Sequence, residues 1–366
     1  VDRVHRPKVL ALGVALWSVM TALGGLATGF WSLFAARAGV GMSEACLAPA
    51  AFSLIADYFP ASSRGRAMST YNMANYLGGG ASLLVGGLIL GALGKTNIML
   101  PLVGSVHDWQ ATLLFVGLPG LFASLLVLTV REPTRSNPQP ARNTSKEKFI
   151  DHMRQAPRVY FAVHAVSALT AFTGIGVVSW LPSYFVRQFA LTPAHVGAML
   201  GPVSALAGVL GCLSSGLCSD WLVGRGRMGG RFLLPLAWWP LALFGLCVLV
   251  FASAPNIALV GVFVFLFGSG FGLASVGPTI QDITPGQFRG QAAALHFVLA
   301  GLLAFGSAPA LVGLISEKIF KGQASLGQAM FVLMVPIILT GFALCASSMR
   351  AYNHRRIAFV SAPGGK

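Results

Sequence analysis

The chain has 366 residues, of which 55% are hydrophobic and 10% are charged, and its formal net charge is +15. Its mean hydropathy is +0.74, and 44 of its residues are glycine. These values exclude an ordinary soluble domain and predict a polytopic α-helical membrane protein.

Hydropathy and helix-breaking residues divide the chain into ten candidate membrane spans. Their ranges are 8–29, 31–59, 64–93, 109–130, 158–188, 193–221, 231–253, 255–282, 288–316 and 325–349. All five cysteines lie inside these spans and form no Cys-x-x-Cys pair, so the sequence predicts neither a disulfide nor a metal site.

The second span carries two charges, Arg37 and Glu44, inside its apolar run. Seven residues separate them, about two helical turns, so we expect both on one face of a continuous helix, with Glu44 near its middle. Intramembrane charges usually face a polar cavity, which makes both residues candidates for substrate binding and proton coupling. A static ion pair that only fixes the helix is the alternative. Gly39 and Gly41 predict close contact with a neighbouring helix.

The third span begins with the polar residues Tyr71, Asn72 and Asn75, which lie within about one helical turn of each other. Their hydroxyl and amide groups could bind a substrate, or they could simply form hydrogen bonds between helices. The small residues from Gly78 to Gly87 predict tight packing of the same helix.

A proline-rich and charged stretch, 131–157, follows the fourth span and predicts a cytoplasmic linker, with an interfacial helix from Lys146 to Gln155. It divides the chain into an N-terminal half, 1–130, and a C-terminal half, 158–350. A cytoplasmic tail, 351–366, is expected after them.

The C-terminal half contains weaker candidate residues. Trp180 and Tyr184, on either side of a kink expected at Pro182, could gate the outer mouth of a cavity, or they could belong to an aromatic belt. His296 stands alone in an apolar span and could contact a substrate or a proton, or it could be a packed core histidine. His164 is a similar and weaker candidate.

The excess of basic residues could also indicate a nucleic-acid-binding protein. Their positions along the chain distinguish that class from a membrane protein. If both chain ends are cytoplasmic, 20 of the 25 Lys and Arg residues fall in cytoplasmic segments. The exceptions are Lys95, Arg187, Lys318 and Lys321 on the outer side, and Arg37 within a helix. This positive-inside bias predicts a multi-pass plasma-membrane protein, of a bacterial inner membrane, and needs no nucleic-acid partner.

The second half of the chain repeats motifs of the first. GVGMSEACLAP, 39–49, aligns with GSGFGLASVGP, 268–278, with both glycines and the proline in register. FPASSRGRA, from Phe59, aligns with TPGQFRGQA, from Thr284, and matches an Arg-Gly pair. Parallel repeats of this kind are typical of transporters whose site lies between the halves.

Several loop residues carry a family resemblance. Asp2, Arg3 and Arg6 look like the end of the Gly-x-x-x-Asp-Arg loop pattern of the major facilitator superfamily, and Asp220 with Arg225 looks like its echo in the second half. The chain resembles that superfamily throughout. The segments RAGVGMSEA, SLIADYFPASSRGRA and WLPSYFVRQF look most like its Spinster-type members.

The resemblance implies an all-α polytopic membrane protein with the major facilitator fold. That fold has two pseudo-symmetric helical halves, and the ten spans would be helices 3 to 12 of twelve, the first two preceding Val1. It also implies lysolipid or sphingoid phosphate substrates for animal members, and a cytoplasmic gate that pairs in the outward-open state. The gate residues would be Asp2, Arg3, Arg6, Asp57, Asp220 and Arg225; without the resemblance they are topology determinants only.

Taken together, the sequence predicts a monomeric secondary transporter for a small organic or lysolipid-like, anionic or zwitterionic solute, with protons as the candidate coupling ion. An organic-anion symporter that clamps a carboxylate with Arg37 is the alternative within the same class. A passive channel or scramblase fits the hydropathy but not the repeated loops. The sequence contains no His-Glu-x-x-His or Gly-x-Ser-x-Gly motif, so neither an enzyme nor a cofactor is predicted.

Overall fold

A computed structural model describes residues 5–59, 61–93, 98–100, 104–133, 148–225, 232–285, 288–322 and 325–361. Apart from one short β-hairpin, the described elements are helices, so the predicted all-α class is confirmed. The chain forms two compact units, one made of 1–70 and 84–141 and the other of 71–83 and 142–366.

Unit 1 contains the first helices, the hairpin and the helix that follows it. Its elements are α1 (Arg6–Gly24), α2 (Phe30–Glu44), α3 (Leu47–Tyr58), both ends of α4 (Ala61–Leu93), β1 (Ile98–Leu100), β2 (Gly104–Val106) and α5 (Asp108–Val127). The strands pair antiparallel, with Met99 opposite Ser105. The sequence predicts an outer loop here and gives no sign of the hairpin.

Helices α1 and α5 pack closely because glycine removes side-chain bulk between them. A Cβ atom at Gly117 would lie 2.8 Å from the backbone nitrogen of Ala22, and one at Gly25 would lie 2.5 Å from the carbonyl oxygen of Gln110. The Gln110 side chain also donates a hydrogen bond to the Ala27 carbonyl at 2.9 Å. Small residues at such crossings are the usual means of helix association in membranes.

The predicted continuous helix over 31–59 is wrong, because α2 ends at Glu44 and α3 begins at Leu47. Pro49 has no N–H to donate to the carbonyl of Ala45, four residues earlier, and a proline at this spacing breaks or kinks a helix. The neighbouring bonds survive, from the Ala45 N–H to Gly41 and from the Ala50 N–H to Cys46.

Unit 2 contains part of α4 and the rest of the helices. Its further elements are α6 (Phe149–Arg154), α7 (Pro157–Val178), α8 (Leu181–Phe189), α9 (Pro193–Gly224), α10 (Leu233–Val250), α11 (Pro255–Asp282), α12 (Arg289–Leu299), a π-helical segment (Ala300–Phe305), α13 (Gly306–Lys318) and α14 (Ser325–Ser361). The predicted interfacial helix is therefore present but shorter than 146–155. Helix α14 continues through residues that were predicted to be a tail.

The core of unit 2 is built around large buried aromatic side chains. Trp238, Trp239 and Phe265 have no exposed surface, and the rings of Trp238 and Phe265 meet edge to face at 5.2 Å. Helices α9 and α11 cross on glycines, since a Cβ atom at Gly270 would lie 2.5 Å from the carbonyl oxygen of Gly208. These contacts fix the helices that carry the candidate residues of this unit.

Prolines also shape unit 2. Helices α7 and α8 are separated at Ser179 and Trp180, two residues before Pro182, so the helix is interrupted close to the position of the predicted kink. The π-helical segment precedes Pro309, which has no N–H for the Phe305 carbonyl four residues earlier. There the Gly306 N–H bonds to the Gly301 carbonyl, five residues back, as expected of a π-helix.

Nine helices in the described part of the chain are long and apolar enough to cross a membrane. The sequence predicted ten spans, and the difference comes from the break between α2 and α3, each of which is too short by itself. The other nine predicted spans each coincide with one of these helices to within several residues.

Candidate functional site

The two intramembrane charges lie on α2 and are both exposed. Glu44 is the last residue of that helix, so the expectation that it sits in the middle of a continuous helix is wrong. A guanidinium nitrogen of Arg37 lies 3.3 Å from the position that a Cβ atom at Gly24 would take, which places Arg37 beside the end of α1. Within the described residues no ion pair joins Arg37 to Glu44.

The glycines on the same helix behave differently from each other. A Cβ atom at Gly39 would lie 2.7 Å from the sulfur of Met20 on α1, so Gly39 allows the predicted close contact. Gly41 has no neighbour within 4 Å of that position, and the contact predicted for it is wrong. Ser43 is buried and its hydroxyl donates to the Gly39 and Val40 carbonyls of its own helix, at 2.7 and 2.9 Å.

Three further candidates lie on α4, in the stretch that belongs to unit 2. Tyr71 and Asn72 are half-buried and Asn75 is exposed. Their neighbour Tyr76 packs against α9, where its ring occupies the space that a side chain at Gly208 would need. Gly80 meets α9 as well, since its Cβ atom would lie 2.5 Å from the Gly201 carbonyl oxygen, so the predicted tight packing holds at this glycine.

Trp180 and Tyr184 are fastened to neighbouring helices of unit 2. The Trp180 indole N–H donates to the Pro309 carbonyl of α13 at 2.9 Å. Tyr184 is buried, and its hydroxyl donates to the Leu249 carbonyl of α10 at 2.9 Å. Both side chains therefore anchor α8 in the observed conformation.

The isolated histidine of the sequence, His296, has partners in the structure. Its Nδ1 lies 2.6 Å from the hydroxyl oxygen of Ser167 on α7. One turn before Ser167, His164 is buried, and its ring stacks on Tyr160 with centroids 6.4 Å apart. Neither ring nitrogen of His164 has a hydrogen-bond partner among the described residues. The structure thus brings both candidate histidines to the same pair of helices, α7 and α12.

The charged residues at the start of α1 form a network within unit 1. Only 2% of Arg6 is exposed, and its Nη1 donates to Asp57 Oδ2 at 2.6 Å and to the Ser53 hydroxyl at 2.8 Å. Its Nε donates to Glu132 Oε1 at 2.5 Å, and its backbone N–H donates to the other oxygen of that carboxylate at 2.7 Å. One guanidinium therefore links the start of α1, the end of α3 and the segment after α5.

A second charged network lies in unit 2. Arg356 Nε is 3.4 Å from Asp282 Oδ2, and the Tyr352 hydroxyl donates to the Thr279 carbonyl at 3.2 Å. The neighbouring Arg355 donates from Nη2 to Nε2 of His152, on α6, at 3.2 Å. These contacts hold the end of α14 against α11 and α6.

The remaining gate candidates divide into two groups. Asp2 and Arg3 lie outside the described residues, as does the side chain of Asp220. Arg225 is exposed, and its guanidinium carbon lies 3.9 Å from the ring centroid of Trp221, a cation–π contact. The predicted pairing of these residues therefore stays a prediction.

A family model described as the Major Facilitator Superfamily matches residues 1–309. The chain belongs to this superfamily. The predicted major facilitator fold is thereby confirmed, and with the apolar helices it identifies an integral multi-pass membrane protein.

Relatives within the Major Facilitator Superfamily include Protein spinster of Drosophila melanogaster, 26% identical over 336 residues, which cover 87% of this chain and 52% of that protein. The chain therefore spans about half the length of this relative. The probable galactarate/D-glucarate transporter GudP of Bacillus subtilis is 25% identical over 348 residues, 86% of this chain and 72% of that protein.

A solved structure in the superfamily has the same fold. The crystal structure of a bacterial homolog to the human lysosomal transporter Spinster, inward-facing and unoccupied, matches with a TM-score of 0.68 and 21% identity. The match covers 98% of this chain and 84% of that one. Together with the Drosophila relative, it confirms the resemblance to Spinster proteins.

Several polar partners in this superfamily member were missed by the sequence analysis. Glu132 was counted only as part of a linker, although it binds Arg6. Nothing in the sequence singles out Ser167, a small residue in an apolar span, and Arg356 is predicted only to be a basic residue of the tail. Periodicity carries no signal for such partners, because each lies far along the chain from the group it contacts.

Proposed function

We propose that the protein is a secondary active transporter that moves a small organic or lysolipid-like solute, anionic or zwitterionic, by alternating access. The observation that carries this proposal is an acid at equivalent positions of the two repeats, each paired with an arginine: Asp57 with Arg6, and Asp282 with Arg356. In transporters built from parallel repeats, the halves rock against each other around a site between them. Charged groups at the helix ends can then pair in one state and separate in the other.

The binding role falls to α2 and α4. Arg37 is exposed, and a guanidinium can bind a carboxylate or phosphate group with two parallel hydrogen bonds. Asn75 is also exposed and offers an amide for hydrogen bonding to the solute. Tyr71 and Asn72, half-buried beside it, complete this polar stretch.

The coupling role is assigned to Glu44. It is exposed at the end of α2 and has no ion-pair partner among the described residues, so a proton can reach it. We therefore propose that transport is coupled to protons through Glu44. The Arg6 network, with Asp2, Arg3, Asp220 and Arg225, would act as the cytoplasmic gate of a monomer in a bacterial inner membrane.

An organic-anion symporter is the second candidate. It is favoured by the similarity to GudP, a probable galactarate/D-glucarate transporter. In this case Arg37 would clamp a carboxylate of the solute instead of the head group of a lysolipid.

Uptake by the full-length protein in proteoliposomes tests the proposal. Initial rates should saturate with solute and rise with an inwardly directed proton gradient. Arg37→Gln should abolish uptake, and Arg187→Gln, an exposed arginine on α8, should leave it unchanged. Galactarate and a lysophosphatidylglycerol, tested in parallel, separate the two candidates. Flux that rises linearly with solute, without saturation, would indicate a channel and contradict the proposal.

A further inference from the structure

A cavity of about 460 Å³ lies within unit 2, between α6, the first half of α7 and the helix formed by α12 and the π-helical segment. Most of the side chains around it are apolar. They are Ile150, Met153, Pro157, Phe161, Ala165, Ala168, Leu295, Leu299 and Leu303, with Arg154, Tyr160 and His164 as the polar members. Its volume is in the range of ligand pockets, about 300–1,000 Å³.

The cavity follows two helices that run in the same direction. Tyr160 contacts the Ile283 carbonyl just before α12, and Ser167 contacts His296 within α12. A Cβ atom at Gly176 would lie 3.3 Å from Ala308, further along both helices. The side chains of Ala165 and Ala168 are small and leave space between the helices, while Phe161, Ile150 and Leu303 beside them are exposed, so the cavity is an open groove.

The length of the cavity matches one leaflet of a bilayer. From Pro157 to Ala168 the α7 wall extends roughly 16 Å, at 1.5 Å per residue. The hydrocarbon core of a bilayer is about 30 Å thick, so one leaflet contributes about 15 Å. An acyl chain that enters beside α6 could therefore lie along the whole apolar wall.

The mouth of the cavity is basic. Arg154 lines the cavity, and Lys148 and Arg158 are exposed in the same segment, 148–158, where Asp151 is the one acid. Arg154 and Asp151 are 3.5 Å apart, but 75% of the arginine side chain is exposed, and such surface pairs are weak. Basic pockets beside membrane helices on the cytoplasmic side attract anionic lipid head groups.

Helix α6, at one end of the cavity, is held in place by contacts with neighbouring helices. The Phe149 ring contacts those of Tyr160 and Phe288, with centroids 6.3 and 5.9 Å apart, and His152 accepts a hydrogen bond from Arg355. The basic side chains are therefore presented by a docked helix at a fixed distance from the apolar wall.

We infer that this cavity binds one acyl chain of an anionic phospholipid, with the phosphate at the basic mouth. The site belongs to unit 2 alone, and none of the residues that line it is one of those on α2 and α4 to which solute binding is assigned. The lipid would hold α6 against α7 and α12, and would make the protein sensitive to the anionic lipid content of its membrane.

Photo-cross-linking of the full-length protein tests the site directly. Phosphatidylglycerol with a diazirine at the end of one acyl chain should label peptides within 157–168 and 295–303, and the matching phosphatidylcholine should label them much less. Labelling elsewhere but not in these peptides would overturn the inference. Equal labelling by both lipids would overturn its anionic part.

Two kinds of variant test the binding of the acyl chain and the binding of the lipid head group separately. Ala165→Phe, which fills the cavity, should reduce labelling about tenfold or more, and Ala343→Phe, at an exposed position on α14, should not. Arg154→Gln and Arg158→Gln should each reduce the preference for phosphatidylglycerol about fivefold, and Arg187→Gln should not. If a protein segment fills the cavity instead, wild-type protein will not be labelled there at all.

Discussion

Asp57 and Asp282 occupy equivalent positions in the two repeats, each two residues before the aligned segments that begin at Phe59 and Thr284, yet their arginine partners lie on helices that are not equivalent. Asp57 binds Arg6, at the start of α1, at 2.6 Å, and Asp282 binds Arg356, near the end of α14, at 3.4 Å. The acid is retained, and the helix that supplies the cation has changed. In unit 1 the segment after α5 supplies a second carboxylate, Glu132, to the same guanidinium.

Loss of the Arg6 side chain should destabilise unit 1. Arg6→Ala removes the guanidinium that binds the carboxylates of both Asp57 and Glu132, which are only 15% and 21% exposed. Breaking a buried pair costs about 3–5 kcal/mol, and we expect about 3 kcal/mol because both acids keep some contact with solvent. Thermal or denaturant unfolding in detergent measures the change.

Lys8→Ala is the matched control, because Lys8 is exposed on the same helix turn. Its effect should stay within about 0.5 kcal/mol. Equal stability of the two variants would show that the network around Arg6 contributes nothing to the fold.

Arg37 and Glu44 should act independently on stability. They share α2 but form no ion pair, so Arg37→Gln and Glu44→Gln should be additive within about 0.5 kcal/mol. A double-mutant cycle of unfolding free energies measures this. A coupling energy well above that limit would favour the static pair that was the alternative interpretation of these residues.

Ser167→Ala should destabilise unit 2 by about 1 kcal/mol, because it removes the hydroxyl that pairs with His296 Nδ1 and leaves a half-buried ring nitrogen without its partner. Ser179→Ala is the control, since that exposed hydroxyl donates to the Ile175 carbonyl, four residues earlier in the chain. Thermal unfolding should separate the two variants. If they have the same unfolding temperature, the contact between Ser167 and His296 does not contribute to the stability of unit 2.

The fold was predictable from the sequence because the patterns that indicate it are either local, as apolar runs are, or repeated in both halves of the chain. Apolar runs of about 20 residues mark the spans, and the aligned motifs around Gly39 and Gly268 mark the halves. Hydropathy could not reveal the break after Glu44, because that break arises from one missing N–H at Pro49 and not from polarity. The short strand pair around Gly104 was hidden for a similar reason, since its apolar residues resemble those of a loop at a membrane surface.

The candidate site was less predictable, because its partners are distant in sequence. Arg6 and Glu132 are 126 positions apart, and Ser167 and His296 are 129 apart. A periodic pattern identifies a helix face but not which residue of another helix meets it. The anchoring of Tyr184 by the Leu249 carbonyl depends in the same way on how α8 packs against α10.

The proton-coupling role of Glu44 is the central functional claim, and one pair of transport measurements on the full-length protein tests it most directly. Glu44→Gln keeps the size and hydrogen-bonding capacity of the side chain but removes the group that takes up a proton. In proteoliposomes the variant should lose accumulation driven by a proton gradient, because no proton is carried with the solute. It should keep solute exchange at equal pH, because exchange requires only that the loaded protein reorients. Gradient-driven accumulation by Glu44→Gln at the wild-type rate would contradict the account.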